Sequence, residues 1–118
     1  MQIRGFNITI PYKNDVISYI DEIDETAEKI GAVNTVVNDG GSLSGYNTDA
    51  YGFSKMIEDD AGFKMKGKDV LVLGAGGASR AICVVLCQKG VNKLHLLNRT
   101  VEKADRLGNY LKEEFAEI

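Results

Sequence analysis

The chain has 118 residues, a net charge of −3 and 44% apolar residues, the profile of one ordinary globular unit or two small ones. The mild acidity offers no stripe of Lys and Arg for a polyanion, and no apolar run approaches the roughly 20 residues that span a bilayer. The opening Met1-Gln-Ile-Arg-Gly5 lacks the apolar core and small-residue cleavage site of a signal peptide, so the sequence predicts a cytoplasmic protein with neither nucleic acid nor membrane as partner.

In chain order, Ile3 to Ile10 reads as a strand closed by Pro11, and Tyr12 to Asp21 as a short helix with Val16, Ile17 and Ile20 on one face. Asp24 is placed to cap a second helix running to Ile30, with Gly31 as its stop. Val33 to Asn38 and Ser42 to Tyr46 flank Asp39-Gly40-Gly41, a hairpin signal. Asn47, Thr48 or Asp49 then opens a helix from Ala50 to Asp59, and Gly62 to Lys68, polar and glycine-flanked, reads as a hinge.

After the hinge comes a short apolar run, Asp69-Val-Leu-Val-Leu-Gly74, which continues into the turn Gly74-Ala75-Gly76-Gly77-Ala78-Ser79. A continuous Val/Leu run predicts a buried parallel strand. In the turn, Gly74 permits the sharp bend, Gly76 allows close approach of a pyrophosphate, and Ala78 and Ser79 are small enough for the helix Gly77 to Lys89 to pack on the strand. That helix aims its first amides at phosphate. The next strand, Lys93 to Leu97, ends in Asn98-Arg99-Thr100. An NAD site would place Asp or Glu about 20 residues after the glycines to hold the ribose hydroxyls. A neutral amide beside a guanidinium instead accepts a 2′-phosphate, so the cofactor expected from these residues is NADP. The alternative is a glycine turn that merely joins strand to helix, with Arg99 a solvated charge.

Cys83 and Cys87 lie one helical turn apart among Ala81, Ile82, Val84, Val85 and Leu86, which points to helix packing and to no metal site. His95, the only histidine, alternates with Leu94 and Leu96 on a strand and reads as structural. Three polar groups fall at element ends: Asn7-Ile-Thr9-Ile-Pro-Tyr-Lys13, Asn34-Thr35 and Asn47-Thr-Asp49. Such ends gather around clefts. A lysine held by a carboxylate can protonate the oxygen formed when hydride adds to a ketone. The plainer alternative makes the Asn and Asp residues caps and turn formers, with Lys13 a solvated helix residue.

Together these motifs resemble the shikimate dehydrogenases. Gly5-Phe-Asn7-Ile-Thr9-Ile-Pro11-Tyr-Lys13, Gly31-Ala-Val-Asn34-Thr35 and Gly45-Tyr-Asn47-Thr48-Asp49 look like the family's substrate-domain signatures. Gly74 to Ala81 and Asn98-Arg99-Thr100 look like its cofactor signatures. The resemblance implies an α/β fold, with part of a small α/β substrate domain over 1–62 followed by the first βαβα half of a Rossmann-like NADP-binding domain over 63–118. It implies reversible NADPH-dependent reduction of 3-dehydroshikimate to shikimate, in the pathway to chorismate and the aromatic amino acids. Lys13 and Asp49 would be the catalytic pair, and Thr9, Lys13, Asn34 and Asp49 the substrate contacts. Gly74, Ala75, Gly76, Gly77 and Ala78 would bind the pyrophosphate, and Asn98, Arg99, Thr100 and Lys103 the 2′-phosphate.

The family's N-terminal strand and Ser-x-Ser segment, and its later strands, have no counterpart in these residues. The resemblance therefore implies a fragment, weakly active or inactive by itself, whose open strand edges favour self-association. The alternatives are a quinate/shikimate dehydrogenase using NAD(P), or a non-catalytic nucleotide-binding remnant.

Overall fold

The structure is a computed structural model that describes residues 2–116. The chain divides into two compact units, Met1–Tyr51 and Gly52–Ile118.

In the first unit, β1 (Gly5–Asn7) is followed by a 3-10 turn (Asp15–Tyr19), β2 (Glu22–Ile23), α1 (Glu25–Ile30), β3 (Thr35–Asp39), β4 (Ser42–Tyr46) and the start of α2 (Thr48–Lys55). The sheet order is β1-β3-β4-β2, antiparallel except for the parallel pair β2 and β4. Helix α1 begins and ends where the sequence places it. The Asp24 carboxylate accepts from the amides of Thr26 at 3.1 Å and Ala27 at 3.3 Å, and Gly31, at φ 72°, donates back to Ala27 O and Glu28 O. In the hairpin, Asp39 pairs with Ser42 across Gly40 and Gly41, whose φ values of 59° and 99° are the positive pair a two-residue turn needs. Ala27, Val33 and Val36 form the buried centre, and Ile8, Val16, Ile17, Ile20, Ile23 and Leu43 pack on it.

The predicted strand Ile3 to Ile10 is shorter, because after Asn7 the chain turns through Thr9 to Tyr12, with Tyr12 N bonded to Thr9 O at 3.0 Å. The predicted helix Tyr12 to Asp21 is reduced to the 3-10 turn. Asn14 at its start makes no cap, its amide being bonded to Gly31 O instead. Strand β2 has too few residues to show a period. It is held by long-range bonds, Asp21 N to Leu43 O at 2.9 Å and Asp24 N to Gly45 O at 2.9 Å.

The second unit contains β5 (Asp69–Leu73), α3 (Gly77–Gln88), β6 (Lys93–Leu97) and α4 (Val101–Glu114). β5 and β6 are parallel, in register from Asp69 beside Lys93 to Leu73 beside Leu97. α3 packs on β5, α4 on β6, and the helices on each other. The core is Met65, Val72, Ala81, Cys83 to Leu86, Leu107 and Leu111. The expected two-sided burial of β5 is not found: Leu71, Leu73 and Leu97 are 60, 71 and 63% exposed. The alternate residues Val70, Val72, Leu94 and Leu96 meet the helices, which leaves the opposite face of the sheet bare.

The division between the units falls inside α2, ahead of the polar stretch Gly62 to Lys68. Beyond Lys55 the helix continues as a π-helical turn, Met56–Asp60, whose Glu58 meets Lys89 Nζ at 2.6 Å. That contact groups the end of the helix with the second unit.

Gly45 lies where β4 crosses the core. A Cβ there would sit 2.7 Å from Ile20 Cδ1, closer than real atoms pack, and tightly against Val33 Cγ2 at 3.0 Å. Gly45→Ala is expected to cost about 1–3 kcal/mol by overpacking, read as a lower urea midpoint at unchanged m-value. An unchanged midpoint would show that Ile20 gives way freely.

Candidate active site and phosphate-binding turn

In the first unit, Lys13 follows the Thr9 to Tyr12 turn, and its backbone carbonyl accepts from Val33 N at 2.8 Å. Asp49 lies in the first turn of α2, where the amides of Asp49 and Ala50 donate to Asn47 Oδ1 at 3.1 and 3.3 Å. The result is an ion pair, Lys13 Nζ to Asp49 Oδ2 at 3.1 Å, with side chains 29 and 57% exposed. At that exposure the attraction contributes only about 0.2–1 kcal/mol. A carboxylate beside an ammonium is also an arrangement able to orient a proton donor.

Asn34 stands close by and is buried, with 8% exposure. Its Oδ1 accepts from Thr48 N at 2.9 Å, Thr35 Oγ1 at 3.0 Å and Thr48 Oγ1 at 3.3 Å, while Nδ2 donates to Thr48 Oγ1 at 3.0 Å. The oxygen is saturated and one amide hydrogen is left for another partner. Asn7 Nδ2 completes the cluster by donating to Thr35 Oγ1 at 3.2 Å. Thr9 is exposed, and its hydroxyl has no hydrogen bond among the described residues. The polar groups from three separate stretches of sequence thus meet around α2's first turn.

In the second unit, Gly74 has φ 118°, a conformation that disfavours any side chain, and a Cβ there would also crowd Ser79 Oγ at 3.0 Å. Nothing lies within 4 Å of a Cβ built on Gly76 or Gly77. Gly76 caps α3 with no side-chain hydrogen bond, and the open space over the turn lets a ligand reach the first amides of the helix. Gly74 N donates to Leu97 O at 2.7 Å, which ties the glycine turn to the end of β6, beside Asn98. Asn98 Nδ2 donates to Thr100 O at 2.8 Å and so shapes the bend into α4. Arg99, Thr100 and Lys103 are exposed there.

Sequence reasoning missed two contacts: Arg80 stacks over the Tyr110 ring at 4.1 Å, joining α3 to α4, and Asn14 donates to Gly31 O at 2.8 Å. Neither pair has a periodic or capping signature. Burial pushes the Cys83 thiol up to about 12, with Cys87 adding to the shift, and burial raises Cys87 as well. Both are poor nucleophiles and behave as packing residues. No group of three or more His, Cys, Asp or Glu suited to a metal ion occurs among the described residues, and no helix among them is long and apolar enough to cross a membrane.

Residues 1–36 match the family profile for the shikimate dehydrogenase substrate binding domain, and residues 55–118 that for shikimate / quinate 5-dehydrogenase. The shikimate dehydrogenase (NADP(+)) of Halothermothrix orenii is 60% identical over 104 residues, covering 88% of this chain and 36% of that protein. Shikimate 5-dehydrogenase from Thermus thermophilus, solved with NADP(H) and shikimate, superposes with a TM-score of 0.81 at 40% identity, over 92% of this chain and 41% of its own. Quinate dehydrogenase from Corynebacterium glutamicum, solved with NAD, gives 0.85 at 38% identity, over 94 and 39%. This chain therefore spans well under half the length of these relatives. With the shikimate / quinate 5-dehydrogenase profile matching more than half of its residues and the substrate-binding-domain profile matching residues 1–36, the chain belongs to the shikimate/quinate 5-dehydrogenase family.

Proposed function

We propose that this chain carries the catalytic pair and the phosphate-binding half of the cofactor site of an NADP-dependent shikimate dehydrogenase. The reaction is reversible reduction of 3-dehydroshikimate to shikimate, in the route to chorismate and the aromatic amino acids. The observation that carries the reading is the ion pair of Lys13 and Asp49, 3.1 Å apart, with Asp49 following Thr48 in the hydrogen-bonded cluster of Asn34, Thr35 and Thr48. The function assigned to residues 1–62 is substrate binding, and to 63–118 cofactor binding. Bound NADPH would supply the hydride. Lys13 donates a proton to the oxygen of the ketone as it becomes an alcohol, and in the reverse direction takes that proton back. Asp49 keeps the ammonium aimed and accepts from a ring hydroxyl. Asn34, through its remaining amide hydrogen, and Thr9 hold further hydroxyls.

The residues of the second unit suit the cofactor. Within the turn Gly74 to Ala78, Gly76 and Gly77 leave open space for the pyrophosphate, and Asn98, Arg99, Thr100 and Lys103 supply positive charge and donors with no carboxylate at the ribose position. The reading includes a cytoplasmic enzyme. It also has the 118-residue chain pair with a second copy across the exposed Leu71, Leu73 and Leu97. Light scattering at micromolar concentration should give a mass above 12.9 kDa; a clean monomer would remove this part.

Turnover is best followed in a chimera that carries this chain in place of the segment it matches in the Halothermothrix orenii enzyme. Reduced nicotinamide should appear with shikimate and NADP⁺; turnover of quinate alone, or of neither, would overturn the reading. In that chimera Lys13→Ala is expected to lower kcat by about 10²–10⁴ with little change in KM, because proton donation matters mainly as charge develops on oxygen. Near-normal kcat with weak binding would make Lys13 a binding residue only. Arg99→Ala should erase most of the preference for NADP⁺ over NAD⁺ in cofactor titrations. Equal discrimination in both proteins would remove Arg99 from this role, and a loss common to both cofactors would point to instability.

A further inference from the structure

Gly31, Ala32 and Val33, where α1 ends and the chain turns toward β3, bond to both segments that carry the Lys13 and Asp49 pair. From the lysine side, Asn14 Nδ2 donates to Gly31 O at 2.8 Å, and Lys13 O accepts from Val33 N at 2.8 Å. From the aspartate side, Asn47 Nδ2 donates to Ala32 O at 3.1 Å while its Oδ1 holds the Asp49 and Ala50 amides. The segment is a firm reference. Gly31 is locked by the end of α1, Val33 is 0% exposed, and Asn47 is 8% exposed.

We propose that Asn14 and Asn47 are positioning residues which, by bonding adjacent carbonyls of the Gly31 to Val33 segment, set the separation of Lys13 and Asp49. The role rests on the reading of that pair given above. The pair cannot set its own geometry, since a half-exposed ion pair gives about 0.2–1 kcal/mol and ordering a lysine side chain costs up to about 2 kcal/mol. Each asparagine also does something its local position does not require. Asn14 stands at the start of the 3-10 turn yet makes no cap there, its amide being turned to Gly31. Asn47 occupies a helix cap, where Ser, Thr or Asp would serve equally, but of these preferred caps only Asn adds an amide donor. That donor is the one bonded to Ala32.

The test uses the isotope-labelled 118-residue chain and the Lys13 side-chain NMR resonances. Asn14→Ala removes an exposed bond, and Asn47→Ser keeps a helix cap while losing the bond to Ala32, so both variants should fold. Each is expected to move the Lys13 Cε and Nζ resonances toward their positions in Asp49→Asn, and to move them no further when added to Asp49→Asn. Resonances that stay put, or that shift equally in the Asp49→Asn background, would overturn the proposal. In the active chimera each change should lower kcat by about tenfold or more, consistent with the cost of misplacing a reacting group. A chimera that fails to oxidise shikimate while the NMR coupling holds would sink the enzymatic reading and leave the positioning role standing.

Discussion

Lys13 Nζ and Asp49 Oδ2 meet at 3.1 Å although 36 positions separate them in sequence. Half-exposed charges do not pull two chain segments together, so the contact has to be made by the fold beneath it. That fold is a small sheet closed over Ala27, Val33 and Val36, with β4 at its centre handing the chain directly to α2. The helix cap at Asn47 then fixes where the carboxylate emerges, and the Val33 amide fixes where the lysine backbone passes. The catalytic chemistry proposed for this unit thus depends on backbone hydrogen bonds more than on the charges themselves.

The second unit solves a related problem with one pair of strands, β5 and β6. Parallel strands of equal length place their C-terminal ends side by side, so the register of Leu73 beside Leu97 brings the glycine turn next to Asn98. The 2.7 Å bond from Gly74 N to Leu97 O closes that corner. In the cofactor site proposed above, a phosphate at the turn and a second phosphate near Arg99 would share this edge, with α3 and α4 joined through Arg80 and Tyr110. The same arrangement leaves Leu71, Leu73 and Leu97 in water, because both helices cover the opposite face.

Features that depend on a few neighbouring residues could be read from the sequence. Asp24 and Gly31 bound α1, Gly40 and Gly41 turn the hairpin, and Gly74 makes the bend after β5, each through a local hydrogen bond or a positive φ. Features decided by distant partners could not. β2 exists because Leu43 and Gly45 are there to bond it, and the segment after Pro11 fails to become an α-helix while Asn14 is spent on Gly31. The continuous apolar run of β5 suggests two-sided burial, yet only the tertiary placement of the helices decides which faces are covered. For the site, motif resemblance supplied Lys13, Asn34 and Asp49 together. Spacing alone could not, since nothing local distinguishes a lysine after a turn from a solvated one.

The remaining hydrogen-bonding capacity around the pair bears on what kind of molecule suits it. Asn34 has spent its oxygen on Thr48 and Thr35 and retains a donor hydrogen, Asp49 retains acceptor capacity beyond its bond to Lys13, and the Thr9 hydroxyl can do either. A donor, an acceptor and an amphoteric group match adjacent ring hydroxyls, each of which both gives and takes a hydrogen bond. A ligand lacking one hydroxyl would leave a polar group of the site unpaired once water is excluded, a penalty of about 1–3 kcal/mol for each neutral group and more for the carboxylate. Under the proposed function, selectivity for a polyhydroxylated ring would rest on the same bonds that build α2's first turn: by saturating the Asn34 oxygen, Thr48 and Thr35 leave Asn34 to present only a donor.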